Sequence, residues 1–318
     1  MTALATETAA TTATPAATAA ARRKAWAWFA AKIVVSAVLM AAMLTQVSFG
    51  AAIDAAKNLS IFSLILATAI VIVAHVVNAR RLCVFLPGLS LLRSLRFTFI
   101  GTFYSTMLPS QLAGDAIKAV RLARAHDAAG RAVSAVVRDK IMGLAALVAL
   151  SLAAVPLSNL PARGGAVAVL IVSLAVVAGL WFALDRLPQS GRWTTLAKYL
   201  PRAADAGLTR RQLAENFLWG LVFQALVVGI FAVVGIDLGL TISAGEWVVV
   251  IGVVSIILLA PVTIAGVGLR EGSLVGLMGA LGQDEATTLA MSLVILLLSL
   301  FAAGIGFVID AVSRDRPS

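Results

Sequence analysis

Charge is scarce in this chain. Of 318 residues, 13% are Asp, Glu, Lys or Arg, about half the share a soluble globular domain carries. Cysteine is nearly absent: Cys83 stands alone, which excludes an intrachain disulfide and a cysteine metal site. The two histidines, His75 and His126, are far apart, and no His/carboxylate cluster has metal-ligand spacing. No Ser-His-Asp, His-Glu-x-x-His, Walker-type or paired-carboxylate motif occurs, so no enzyme activity and no cofactor are expected. Nothing alternates like a barrel strand. What is present is apolar: 61% hydrophobic residues and a mean hydropathy of +1.00. Runs that long span about 30 Å of hydrocarbon as helices, so the chain reads as an integral membrane protein. The net charge of +10 sits in loops between apolar runs. That is the positive-inside pattern and not a nucleic-acid footprint.

Met1 to Ala21 is an Ala/Thr tract, so residues 1–24 read as a disordered cytoplasmic tail. Arg22, Arg23 and Lys24 precede the apolar run Ala25 to Gly50, which exceeds a signal-peptide core and reads as an uncleaved anchor. Further spans are expected at about Leu59–Val77, Ile141–Leu157, Ala166–Leu184, Phe217–Val234 and Thr287–Ile309. Phe97 to Leu108 is different. Its twelve residues make about 18 Å of helix, too short to cross, and basic residues flank it on both sides. It reads as a re-entrant hairpin from the cytoplasmic side. Trp247 to Leu281, broken at Pro261 to Gly268 and flanked by acidic loops, reads as a second hairpin from outside. Lys57, Arg163 and Arg270 are the only cations of 25 left off the cytoplasmic face, an asymmetry that fixes orientation.

The two breaks match each other. Pro109, Leu112, Ala113, Gly114 and Lys118 align without a gap on Pro261, Ile264, Ala265, Gly266 and Arg270. Paired interruptions of this kind mark transport-type binding sites. The expected fold is therefore an all-α polytopic membrane protein with an inverted-topology repeat. Six full spans and two opposed re-entrant hairpins make up residues 25–312, in halves at about 25–158 and 164–310, with a tail at 313–318. Both termini lie in the cytoplasm of a bacterial inner membrane.

Non-helical backbone at membrane depth survives only when buried in protein or lining a wet cavity. Helix N-termini at the breaks would attract anions, and Gly114, Gly266 and Gly268 would let a headgroup approach the backbone. Asp115 reads either as the N-cap of a helix to about Ala129 or as a buried partner of Lys118 or Arg270. Lys118, Arg121 and Arg124 share one helix face, which serves either the site or anionic lipid at the inner boundary. Arg270 is a cation at membrane depth, a functional candidate by default. Glu271 adjoins it and, as its immediate neighbour on a helix, is not expected to pair with it. Asp139 and Lys140 close the cytoplasmic end of a span, and His75 reads as interfacial.

Phe103 to Lys118 resembles the first signature of the lysylphosphatidylglycerol synthase transmembrane-domain family, Phe-x4-Leu-Pro-x3-Ala/Gly-Gly-Asp-x-x-Arg/Lys. Asp139, Lys140 and Gly143 resemble its second, and Pro261, Gly266, Gly268, Arg270 and Glu271 its third. The resemblance runs from about Ala25 to Ile309. Two departures are Ala113 where the family often has Gly, and Lys118 where it has Arg. The resemblance implies a flippase-like protein that binds a polar or anionic headgroup between the hairpins. Pro109, Gly114, Asp115, Lys118, Arg121, Asp139, Lys140, Pro261, Gly266, Gly268, Arg270 and Glu271 are the candidate site. The soluble synthase domain of two-domain members is not expected after Ser318. The partners implied are membrane lipids, whether phospholipid, hopanoid or isoprenoid-linked, and no nucleic acid. A homo-oligomer or a lipid-biosynthesis enzyme stays open as protein partner. Two other functions also stay open: a small-solute or ion-coupled transporter, and an accessory subunit of a lipid-modifying enzyme.

Overall fold

A computed structural model describes residues 48–108, 111–124, 129–161, 163–186, 208–260, 263 and 266–314, with Val34, Val35, Val38 and Ala41. The tail at 1–24, most of the expected first span, Pro109 and Pro261 lie outside the described residues.

Ten α-helices make up the described chain. They are α1 (Phe49–Ala56), α2 (Ile61–Phe85), α3 (Leu91–Met107), α4 (Gln111–Arg124), α5 (Ala129–Ala154), α6 (Arg163–Asp185), α7 (Arg210–Asp237), α8 (Ala244–Ile257), α9 (Leu269–Gly279) and α10 (Glu285–Arg314). Among the described residues five segments are long and apolar enough to cross a membrane: α2, α5 with the 3-10 turn that follows it, α6, α7 and α10. The other helices are short. At 17, 14, 14 and 11 residues, α3, α4, α8 and α9 fall below the roughly 20 a spanning helix needs.

Several helices begin earlier or end later than apolar runs indicate. α3 starts at Leu91, where Ser90 caps it by accepting from the Arg93 amide, and it includes Arg93 and Arg96. α2 continues through Arg80 and Arg81, and α5 begins twelve residues before Ile141. The extensions of α2 and α5 carry charges that find partners inside the protein, whereas Arg93 and Arg96 of α3 are exposed; hydropathy alone cut all three helices short.

Packing separates the short helices from the long ones. α8 is apolar all round and buried from Gly245 to Trp247 and from Val249 to Val254, as expected of a helix enclosed by protein. Its Val249, Val250 and Ile251 form the main core with Val234 of α7, Leu274 of α9 and Met291 of α10. α6 is equally apolar yet buries only Leu170 and Val177, leaving a surface suited to lipid. α3 packs on α4 and α10, and α8 packs on α9. Close backbone contacts need glycine here. A Cβ on Gly114 would stand 2.0 Å from the Gly101 carbonyl oxygen, and one on Gly306 2.0 Å from that of Phe99.

α2 and α7 run antiparallel and define two ends. At one, Asp237 accepts from the Ser60 amide and hydroxyl at 2.7 and 3.0 Å. There too Glu246 accepts from the Asn159 amide, and Gln283 bonds Thr241. At the other, Arg80 pairs with Glu215 at 3.0 Å and Gln212 donates to the Val84 carbonyl. α8 starts at the first end, and the chain after α9 returns to it through the Thr241–Gln283 bonds. α3 starts at the second end, where the Ser94 hydroxyl donates to the Ala79 carbonyl. Arg121 of α4 meets Asp310 near the second-end terminus of α10.

Candidate functional site

Between these helices lies a polar cavity of about 290 Å³. α4 brings Asp115 and Lys118 to it, α5 brings Lys140 and α9 brings Arg270. Thr98, Thr102 and Thr106 follow one another every four residues on α3, so they share a face, and that face lines the cavity together with Ser105. Asn78 of α2 and Ser299 of α10 complete the polar wall.

The charges are tightly arranged. Asp115 Oδ1 lies 3.2 Å from Lys118 Nζ, and its Oδ2 lies 3.1 Å from Lys140 Nζ. Asp115 stands in the second turn of α4, which starts at Gln111, so it is not the N-cap. Its partners are the two lysines and not Arg270. Lys118 is buried, so it does not belong to a lipid-facing stripe. Arg121 leaves that stripe as well. It pairs with Asp310 at 2.5 Å and stacks near the Tyr104 ring, whose hydroxyl donates to Asp310.

Arg270 and Glu271 do pair, against expectation. Arg270 Nη2 and Nε donate to Glu271 Oε1 at 2.7 and 3.1 Å, and the Ser292 hydroxyl joins them. The reason is the helix start. Glu271 turns back to accept the Gly268 amide on Oε2 at 2.7 Å, and a long guanidinium folds over the same first turn. Gly266 and Gly268 have φ of 76° and 82°, which glycine adopts without strain. They shape the turn, and the amide of Gly268 is already taken by Glu271. Gly114 likewise serves helix packing against Gly101 and Ser105, not approach of a headgroup.

Asp139 belongs to a second, sealed cluster. Arg81, 3% exposed, donates to the Asp139 carbonyl at 2.7 Å and pairs with its carboxylate at 3.1 Å. Asn216 of α7 donates to both the Arg81 carbonyl and Asp139 Oδ1, at 3.0 and 2.9 Å. Gly143 faces the guanidinium: a Cβ there would stand 2.6 Å from Arg81 Nη2. The Asp-Lys-x-x-Gly stretch is thus a seat for Arg81. Arg81 and Asn216 escaped the sequence reading because one sits beside Arg80 in a basic boundary and the other opens an apolar run. Asn216 and Gln224, two amides eight residues apart in one span, were the available signal.

Two apolar cavities adjoin the polar one. A chamber of about 400 Å³ shares Asn78, Thr102 and Ser299 with it, and His75 lines that chamber, stacked on Phe99 at 4.6 Å. His75 is therefore an interior residue. A groove of about 700 Å³ between α4, α5 and α6 shares Asp115 and Lys140. Among the described residues no group of three or more metal-ligating side chains gathers.

Helices able to span a membrane around a charged cavity with apolar annexes define a multi-pass integral membrane protein. The sequence places it more narrowly: the chain belongs to the family of the lysylphosphatidylglycerol synthase TM region, whose profile matches residues 29–306. Comparison with curated proteins found no match.

Proposed function

We propose that this protein binds a polar lipid headgroup in the cavity between the two pairs of short helices and carries the lipid between leaflets of a bacterial inner membrane. One observation carries the reading. The charged cavity shares its lining residues with two apolar ones, so a single amphiphile fits with headgroup and tail in different compartments. A free solute would use only the polar part. Family membership supports a lipid-handling role.

In this reading α3/α4 and α8/α9 are re-entrant hairpins that open from opposite faces, as the two halves of an inverted repeat, with both termini cytoplasmic. Lys118 and Lys140 act as donors to the headgroup, and Glu271 holds Arg270 in place. No covalent step is involved.

The test is reconstitution into liposomes carrying a fluorescent phospholipid in one leaflet, read by dithionite quenching. Wild type moves the lipid, and Lys118→Gln slows it roughly tenfold or more, the worth of a charged hydrogen bond. Movement equal to protein-free liposomes sinks the proposal. Orientation has its own check in a Cys83→Ser background. Cysteines at Lys57 and Asp284 label from outside, and one at Arg93 does not.

A further inference from the structure

We infer that His75 is a proton-binding site linked to the cavity, which takes up a proton from water as a phospholipid headgroup enters and returns it as the lipid leaves; this rests on the lipid-binding reading above. His75 and Asn78 stand three residues apart on α2, so they share a face, and Thr102 lies opposite on α3. Asn78 and Thr102 line both the charged cavity and the chamber that His75 lines. The imidazole therefore meets the wall of the cavity without entering it.

Its hydrogen bonds determine how a proton is felt on the other side. Nδ1 lies 2.8 Å from the Val71 carbonyl oxygen, which only accepts, so Nδ1 carries a hydrogen in both charge states. Nε2 lies 3.2 Å from Thr102 Oγ1, and that hydroxyl also donates to the Thr98 carbonyl at 3.1 Å. A hydroxyl has one proton to donate. While the imidazole is neutral, Nε2 is an acceptor and competes with Thr98 for that proton. Once protonated, Nε2 donates to Thr102 Oγ1 instead, and the threonine proton is available to Thr98 or to an oxygen in the cavity. Protonation thus frees one donor on the cavity wall.

The surrounding charges make the step depend on a ligand. Among the described residues that line the chamber, none but His75 titrates. Along α2 itself, Arg80 is turned to Glu215 and Arg81 to Asp139 of α5, while Arg138 of α5 is turned to Asp185. On α3, Arg93 and Arg96 are exposed near its start, and Tyr104 and Arg121 hold Asp310 of α10. The charges of α7 lie near its two ends. Across the cavity stand Asp115, Lys118, Lys140 and Arg270, with Glu271 beside Arg270: three cations against two carboxylates. An imidazolium adds to that excess, and a phosphate in the cavity cancels it. The Phe99 ring, stacked on His75 at 4.6 Å, lies within the distance at which an aromatic face steadies a cation. Opposite charges favour each other's charged forms, so headgroup and proton bind together, and each strengthens the other.

Calorimetry on the purified full-length protein in detergent decides the matter, with dihexanoyl phosphatidylglycerol and dihexanoyl phosphatidylethanolamine as probes. Titrations at one pH in two buffers of different ionisation enthalpy count the protons exchanged. At about pH 6.5, the ordinary histidine value, each lipid that binds is expected to bring in a substantial fraction of one proton. Affinity is expected to rise as pH falls from about 8 to about 6, by at most roughly tenfold per pH unit for one proton. Lipid binding with no proton uptake and no pH response overturns the linkage and leaves the lipid reading standing. Binding of neither lipid at any pH overturns both. His75→Gln assigns the site, because glutamine keeps a donor for Val71 and an acceptor for Thr102 but does not titrate. This variant is expected to lose the proton uptake and the pH response. A variant that binds more weakly yet takes up as many protons as wild type shows a structural role and overturns the assignment. His75→Asn gives the same reading where the longer amide does not fold.

Discussion

Asp115 and Asp139 stand on neighbouring helices, and each is clasped by two side chains, yet they do opposite work. Asp115 holds two lysines at the edge of a cavity, with 27% of its side chain exposed. Asp139 is sealed, at 6%, against Arg81 and Asn216. Lysine is a compact charge on a flexible stem, so Lys118 and Lys140 can turn toward a ligand without leaving their helices. Arginine presents a planar fork, and here it is fixed by Asp139, by the bare face of Gly143 and by the Phe223 ring at 5.7 Å. The first cluster is adjustable, whereas the second locks α2, α5 and α7 together. Asp139 and Lys140 are adjacent, and a helix turns roughly 100° between neighbours. One dipeptide therefore serves both clusters.

The largest expected effect breaks the sealed cluster. Arg81→Met leaves Asp139 buried and unpaired, which costs roughly 3–5 kcal/mol, whereas replacing both partners with apolar residues can come near to neutral. Arg81→Met and Asp139→Leu should each lower the unfolding midpoint in detergent sharply, and the double variant should recover much of the loss. Asp115→Asn should cost less, between the roughly 1 kcal/mol of an exposed pair and the roughly 3–5 kcal/mol of a buried one, because part-exposed Lys140 can turn to water while buried Lys118 loses its partner. Equal losses at Asp115 and Asp139 would erase the distinction between the clusters.

A middle-sized effect tests how the cavity cluster is placed. Gly114→Ala sets a methyl group 2.0 Å from the Gly101 carbonyl oxygen and 2.2 Å from Ser105 Oγ. Backbone cannot yield as a flexible side chain does, so overpacking should cost about 1–3 kcal/mol. It also pushes α4 off α3, moving Asp115 and Lys118 away from the threonine wall, so headgroup binding should fall further than stability. Gly272→Ala is the control. It meets nothing within 4 Å and lies in a helix, where alanine is preferred by about 1 kcal/mol.

Much of this was legible in the sequence. The membrane class followed from scarce charge and long apolar runs, and the broken segments pointed to Asp115, Lys118 and Arg270, which do line one cavity. Pairing was harder to read. Asp115 chose Lys140 over Arg270 because α5 begins at Ala129 and carries its charges beside α4, a start that hydropathy does not mark. Arg270 and Glu271 meet because a glycine-capped first turn lets both side chains fold back, which the usual helical spacing rule does not cover. Arg81 was hidden in a basic boundary, where its signals were the amides Asn216 and Gln224 in one span and the glycine at position 143.

The smallest effect extends the comparison to a carboxylate with no cation at all. Asp284 precedes α10, and its Oδ2 accepts from both the hydroxyl and the amide of Thr287 at 2.7 Å. These bonds hold its pKa below the ordinary aspartate value. Asp284→Ala should cost about 1 kcal/mol, as loss of an N-cap does. Asp284→Asn should cost a few tenths at pH 7, since asparagine caps nearly as well but lacks the charge favoured at a helix start. The sign with pH follows from the lowered value. The charged form's contribution is complete above the unfolded pKa of about 3.9 and is lost as pH falls through the folded value below it. The gap between wild type and Asp284→Asn should therefore persist from neutral pH down to about pH 4 and close under stronger acid. Unfolding midpoints of the two proteins across that range give the answer. A gap that instead widens in acid would mean that Asp284 acts through something other than its charge at the start of α10.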